Sequence, residues 1–144
     1  MQSDLRFVFD TNVLVSALLL RRSVARQSLD KALQYGKLLV SGDTVEELNS
    51  VLQRKGFENY VTEEERMEFV SAFVRYGEWV DVADSLRVCR VPKDNMFLEL
   101  AVSGHAFCII TSDEDLLTLR SFRGMKIMTP RQFHEHPLTG TGNP

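Results

Sequence analysis

Leu5-Arg-Phe-Val-Phe-Asp-Thr-Asn-Val-Leu-Val-Ser-Ala17 changes character at its middle. Leu5 to Phe9 is a short β-rich run, Asp10-Thr-Asn12 favours turns and helix caps, and Val13 to Leu20 reads as a helix. The rest of the chain repeats this alternation. A helix over Val24–Tyr35, ended by Gly36, leads to a strand at Lys37–Val40. Asp43 or Thr44 caps a helix running to about Lys55, and Gly56 follows. Thr62-Glu-Glu-Glu65 has the capping-box signature, opening a helix to Tyr76 with Gly77 behind it. Glu78–Val82 is a third strand, Asp94–Ser103 a helix, Phe107–Ile110 a strand, Asp113–Leu119 a helix and Lys126–Met128 a last strand.

Short apolar strands alternating with helices indicate a parallel sheet covered on both faces. The expected fold is therefore α/β, three layers (α/β/α) around a short, mostly parallel sheet. The length of 144 residues and 44% hydrophobic content suit one domain with a real core. That domain is expected over residues 1–136, with a flexible tail over 137–144. No apolar run approaches the roughly 20 residues of a membrane span, and Met1-Gln-Ser-Asp-Leu-Arg lacks the pattern of a secretory signal. Cys89 and Cys108 lack C-x-x-C spacing and read as free buried thiols in a reducing cytoplasm. The net charge of −3 argues against a broad basic footprint for nucleic acid. It remains compatible with a bound cation that inverts the local sign of an acidic pocket.

Three acids fall where an open α/β sheet places its ligands, at strand ends or just beside them. Asp10 follows Phe7-Val-Phe, Asp113 follows Cys108-Ile-Ile-Thr-Ser, and Asp94 begins the helix before the strand at Phe107. Asp115 lies two residues past Asp113. Each also has an ordinary structural role. Asp10 and Asp94 can cap the helices that follow them, and Ser112-Asp-Glu-Asp115 resembles a capping box led by Ser112. Their coincidence is what points to chemistry, because carboxylates gathered at one edge raise each other's pKa unless a cation joins them. A hard divalent ion bound through oxygen removes that repulsion.

The segments Phe7–Ala17, Glu46-Glu-Leu48, Asp94–Ala101 and Ile110-Thr-Ser-Asp-Glu-Asp-Leu-Leu117, followed by Met128-Thr-Pro-Arg-Gln-Phe133, resemble the PIN domain. The resemblance runs from Leu5 to about Phe133 and is nearest to toxin components of prokaryotic toxin–antitoxin pairs. It implies a magnesium- or manganese-dependent endoribonuclease, with RNA as substrate and a cognate antitoxin as partner; a homodimer is compatible with it. Asp10 matches the family's first acid, Asp94 the third, with Ala101 seven residues on, and Asp113 the fourth, assisted by Asp115. One position departs from the pattern: where relatives often carry an acid before the Pro-Lys-Asp turn, this chain has Val91.

The second acid is Glu46 or Glu47. On a helix whose apolar stripe is Val45, Leu48, Val51 and Leu52, Glu47 lies roughly 110° from the stripe's centre and Glu46 roughly 150°. Glu47 therefore borders the buried face, and the family pattern of Glu directly before Leu agrees. The expected catalytic and metal-binding set is thus Asp10, Glu47, Asp94 and Asp113, with Asp115 as a further metal ligand. Thr11, Asn12 and Ser112 are placed to orient these carboxylates. No Ser–His or Cys–His arrangement supplies a protein nucleophile. Arg21, Arg22 and Arg26, and separately Arg120, Arg123 and Lys126, could track RNA, although solvated helix ends explain either cluster more simply. His134-Glu-His136 has only His105 as a further histidine, so a metal role is not favoured there. Phe69, Phe73 and Trp79 read as core.

Other classes share parts of this pattern. A phosphatase with an aspartate nucleophile needs a second aspartate two residues after Asp10, where this chain has Asn12. A receiver domain needs a phosphoacceptor and lysine arrangement that is not apparent. A catalytically silent PIN-like module that only binds RNA or a partner is the non-enzymatic alternative.

Overall fold

The computed structural model describes residues 5–54, 56–83, 85–89 and 91–138. Six strands form one sheet: β1 (Leu5–Phe9), β2 (Gly36–Val40), β3 (Glu78–Trp79), β4 (Cys108–Ile110), β5 (Ser121–Phe122) and β6 (Met125–Met128). Their order across the sheet is β3-β2-β1-β4-β6-β5. All neighbours are parallel except β5, which pairs antiparallel with β6 at the edge. Phe7, Val8 and Phe9 are all buried, as a strand covered on both faces requires.

The helices are α1 (Thr11–Leu19), α2 (Val24–Tyr35), α3 (Gly42–Leu52), α4 (Glu63–Tyr76), α5 (Asn95–Gly104), α6 (Glu114–Leu117) and α7 (Pro130–Glu135). Phe7, Phe9, Leu38, Val40 and Ile110 point to one face, where α1 to α4 and α7 contribute Leu14, Leu29, Leu48, Phe73 and Phe133. Val8, Leu39, Ile109 and Ile127 point to the other, against Leu98, Leu100 and Ala101 of α5 and Leu116 of α6. The expected three layers are present. The chain leaves β1 for β2 on one side and returns at β4 on the other, so the order reverses at β1. A crevice past the carboxyl ends of β1 and β4 is the usual ligand position of such a sheet.

Several local details differ from the sequence reading. Ser41, not Asp43 or Thr44, caps α3, with Thr44 closing the box from the third helical position. Gly36 does end α2, its amide donating to the Ala32 carbonyl, but it is extended (φ 176°) and also opens β2. It pairs with Leu5 so closely that a Cβ would lie 1.9 Å from the Leu5 carbonyl oxygen, which only glycine avoids. The third strand stops at Trp79, after which the Val80 amide makes one bond to the Val40 carbonyl (2.9 Å). Trp79 is not core. Its side chain lies outside the edge strand, 52% exposed, and the indole N–H donates to the Val74 carbonyl (3.2 Å).

Phe73 is buried and Phe69 packs beside it; Cys108 is buried and Cys89 half-buried. Lys31 of α2 donates to the carbonyls of Phe133 (2.8 Å), His134 (3.1 Å) and His136, fastening the end of α7. Leu138 packs against the adjacent core. Residues 1–4 and residues 139–144 of the expected tail lie outside the described residues. No helix among the described residues is long and apolar enough to cross a membrane.

Candidate metal centre

Asp10 sits one residue past β1, and its amide donates to the Ile110 carbonyl (3.0 Å), which locks it beside the end of β4. Its carboxylate is buried. Oδ1 accepts from the Val13 amide (2.9 Å), capping α1, and Oδ2 accepts from the Thr111 hydroxyl. Burial raises its pKa most, hydrogen bonds from Thr111, Val13 and Ser112 oppose the rise, and the charge of Asp113 adds to it.

Thr111 is fully buried, and its hydroxyl oxygen also accepts from the Asp113 amide (2.9 Å). One side chain thus ties the acid after β1 to the loop after β4. The Thr111 amide in turn donates to the Met128 carbonyl (2.9 Å), which links the same loop to β6. Asp113 caps α6 by accepting from the Asp115 amide (2.9 Å), so the cap is Asp113 and not Ser112.

Asp94 closes the 3₁₀ turn Pro92–Asp94 and occupies the cap position of α5, yet its side chain makes no capping bond. Its carboxylate is free to face the other acids. Asp94, Asp113 and Asp115 can each place one oxygen within 4.8 Å of the others. Among the described residues this is the group of three or more His, Cys, Asp or Glu with such geometry. The pKa of Asp94 is pushed up to about 7, by burial first, then by its hydrogen bond with Asp113 and the charges of Asp113, Asp115 and Asp10.

Glu47 is not one of the three. It lies half-buried on α3, while Glu46 is exposed, and its Oε1 is 3.4 Å from Lys93 Nζ, one residue before Asp94. Three of the five expected acids therefore converge, Asp10 is tied to them through Thr111, and Glu47 stands apart beside Lys93. Across the site, Asn95 Oδ1 accepts from the amides of Val88 (3.0 Å) and Cys89 (2.8 Å), pinning the irregular segment before the 3₁₀ turn. The Cys89 thiol is pushed up to about 11, by burial first and then by Asp94, Asp113 and Asp115, so it stays a neutral neighbour.

Thr111, Asn95 and Lys93 do the supporting work, and sequence reasoning missed all three. Of the residues expected to orient the acids, Asn12 and Ser112 have exposed side chains; only the Ser112 backbone reaches Asp10. Thr111, between an apolar strand and the acidic turn, was visible as a hydroxyl at a strand end. Its buried position alone distinguishes it from Ser112. His134 and His136 belong to no metal-ligating group among the described residues.

The donors that converge are all carboxylate oxygens, and burial together with the neighbouring acid charges pushes the Asp94 pKa up to about 7. That set fits a hard divalent cation. A mostly parallel sheet between helices, with acids gathered past its central strands, defines a doubly wound α/β domain carrying a carboxylate cluster. The chain belongs to the PIN domain family, whose model matches residues 6–115. An uncharacterized protein of Methanocaldococcus jannaschii is 29% identical over 147 residues, covering 91% of this chain and 90% of its own. The fold is similar to that of a chain in the crystal structure of VapBC2 from Rickettsia felis bound to a DNA fragment from their promoter. That match has a TM-score of 0.58 and 14% identity over 85% of this chain and 97% of the other. DNA-bound VapBC from Salmonella typhimurium gives a TM-score of 0.59 and 17% identity, over 88% and 98%.

Proposed function

We propose that the chain is a divalent-metal-dependent endoribonuclease of the cytoplasm, acting as the toxin of a toxin–antitoxin pair. The observation that carries the reading is the convergence of Asp94, Asp113 and Asp115, with Asp10 coupled to them through Thr111. Helix capping alone does not require these carboxylate oxygens to approach one another, whereas a shared divalent ion does. Asp113, Asp94 and Asp115, with Asp10 alongside, would hold magnesium or manganese, which when bound would supply charge neutralisation of the phosphate and activation of water. The protein's own part is positional. Thr111 fixes the rotamer of Asp10 and the turn of Asp113, while the Asn95 clamp fixes the approach to Asp94. Glu47 stands ready at the border, directed by Lys93. The fold likeness to chains solved as VapBC complexes supports an antitoxin as partner.

Pulse expression followed by sequencing of RNA ends tests the reading. Wild type is expected to slow bacterial growth and create new internal RNA ends, and Asp10→Asn to do neither. Equal growth arrest from both, with no new ends in either, would refute hydrolysis as the activity.

A further inference from the structure

A second polar surface opens on the far side of β6. Arg120, Lys126, Met128, Thr129, Gln132 and His136 line a cleft between the β5–β6 hairpin and α7. In a chain of net charge −3 this cleft carries a formal charge of +1, Arg120 and Lys126 against Glu135. Neither Arg120 nor Lys126 has an ion-pair partner among the described residues, whereas Arg21 faces Glu65 (3.8 Å) and Arg26 faces Asp30 (3.4 Å). Glu135, the acid at the cleft's rim, is engaged with Arg131 (3.8 Å). Lys126 and Lys31 both act on His136 and on Cys108, so the positive field gathers beside the first residue of β4.

The backbone adds an independent observation. Arg120 and Arg123 adopt left-handed conformations (φ 62° and 50°) that glycine or asparagine would hold with less strain. Arg120 lines the cleft from such a position, while Arg123 lies outside its lining with its guanidinium 5.2 Å over the Phe122 ring. The cleft also has a direction. Lys126 is level with Cys108 and Met128 with Ile110, so its lining climbs from the base of the sheet to Thr129, beside the loop that holds Thr111 and Asp113. Three residues of strand cover about 10 Å, long enough for a short run of phosphates.

We propose that this cleft is a phosphate track, in which Arg120 and Lys126 hold the backbone of single-stranded RNA on one side of the carboxylates. The proposal rests on the ribonuclease reading and gives it a substrate path. The contacts are electrostatic and blind to base identity.

The test uses the full chain carrying Asp10→Asn, with magnesium, and fluorescence polarisation of labelled single-stranded RNAs of two sequences across a salt series. R120Q/K126Q is expected to weaken binding roughly tenfold at low salt, equally for both RNAs. Loss of two phosphate contacts, at about 0.7 each for single strands, should lower the slope of log affinity against log salt by about 1.4. R120K/K126R should restore both, and R21Q/R22Q should leave them unchanged. Parental binding by R120Q/K126Q, or an equal loss from R21Q/R22Q, overturns the track. Cleavage by the otherwise wild-type chain, assayed in parallel, separates the two readings. If it cleaves RNA and R120Q/K126Q leaves KM unchanged, the track alone fails. If it neither binds nor cleaves RNA, the ribonuclease reading falls and the track falls with it.

Discussion

Replacing Asp113 with asparagine removes one of three carboxylates whose oxygens can lie within 4.8 Å of one another. At that separation one pair repels by about 3.5 kcal/mol with an effective dielectric of 20, and by about 0.9 kcal/mol in water. Asp94, Asp113 and Asp115 are only half-buried, which places the value toward the lower figure. The change costs little elsewhere, because asparagine caps a helix as well as aspartate and can still accept from the Asp115 amide. The metal-free variant should therefore be more stable than wild type by about 1 kcal/mol, raising Tm by roughly 2–4 °C for a domain of this size. The measurement is best made at pH 8, above the value near 7 at which Asp94 ionises. Saturating magnesium should then reverse the order. At a hundred times Kd it adds about 2.7 kcal/mol to the wild type, and much less to the variant. Four melting curves, two proteins each with chelator and with magnesium, decide it. Equal magnesium increments in both would show that these carboxylates do not form the metal site.

The same geometry sets further expectations. Glu47→Gln should lower RNA cleavage severely and Glu46→Gln should not; a reversed pair of rates would overturn the assignment of the half-buried glutamate. Thr111→Val keeps the shape but strips Asp10 and the Asp113 amide of a shared partner in a buried position. A loss of about 2 kcal/mol is expected in chemical denaturation, along with reduced cleavage, and wild-type values for both would refute the linking role. Stability without metal should also depend on pH. The folded-state pKa of Asp94 is raised from 3.8 to about 7, so its contribution is fully present below about pH 4 and lost as pH rises through 7. Partial exposure limits that loss to about 1–2 kcal/mol, and Asp10, whose pKa is also raised, adds in the same direction. A chelated sample whose Tm rises between pH 5 and 7.5, when compared with Asp94→Asn, would contradict this.

The central strands and the acids at their ends were legible because a fully buried parallel strand leaves an unbroken apolar run and its end leaves a polar break. β1 and β4 show both. The capping box at Thr62 was equally plain, since Thr62 and Glu65 satisfy each other without help from the rest of the fold. What stayed hidden depends on partners remote in sequence. Ser41 outcompetes Asp43 as a cap only because β2 ends directly before it. β5 has two residues and is defined by its partner β6, and α7 has six, held by Lys31 from α2. Trp79 looks like core by composition, but its strand is the edge of the sheet among the described residues. Thr111 was indistinguishable from Ser112 until the pairing of β1 with β4 turned one inward and left the other out.

That pairing has a consequence in time. Asp10 directly follows β1, but its hydroxyl partner and the converging acids lie at residues 94–115. At 5–20 residues per second, synthesis from Asp10 to Asp115 takes roughly 5–20 s. Until β4 has left the ribosome and inserted beside β1, the first acid is no more than a helix cap. A nascent chain, on the proposed reading, is harmless to the message it is being translated from until residues 94–115 have been made and have folded against β1.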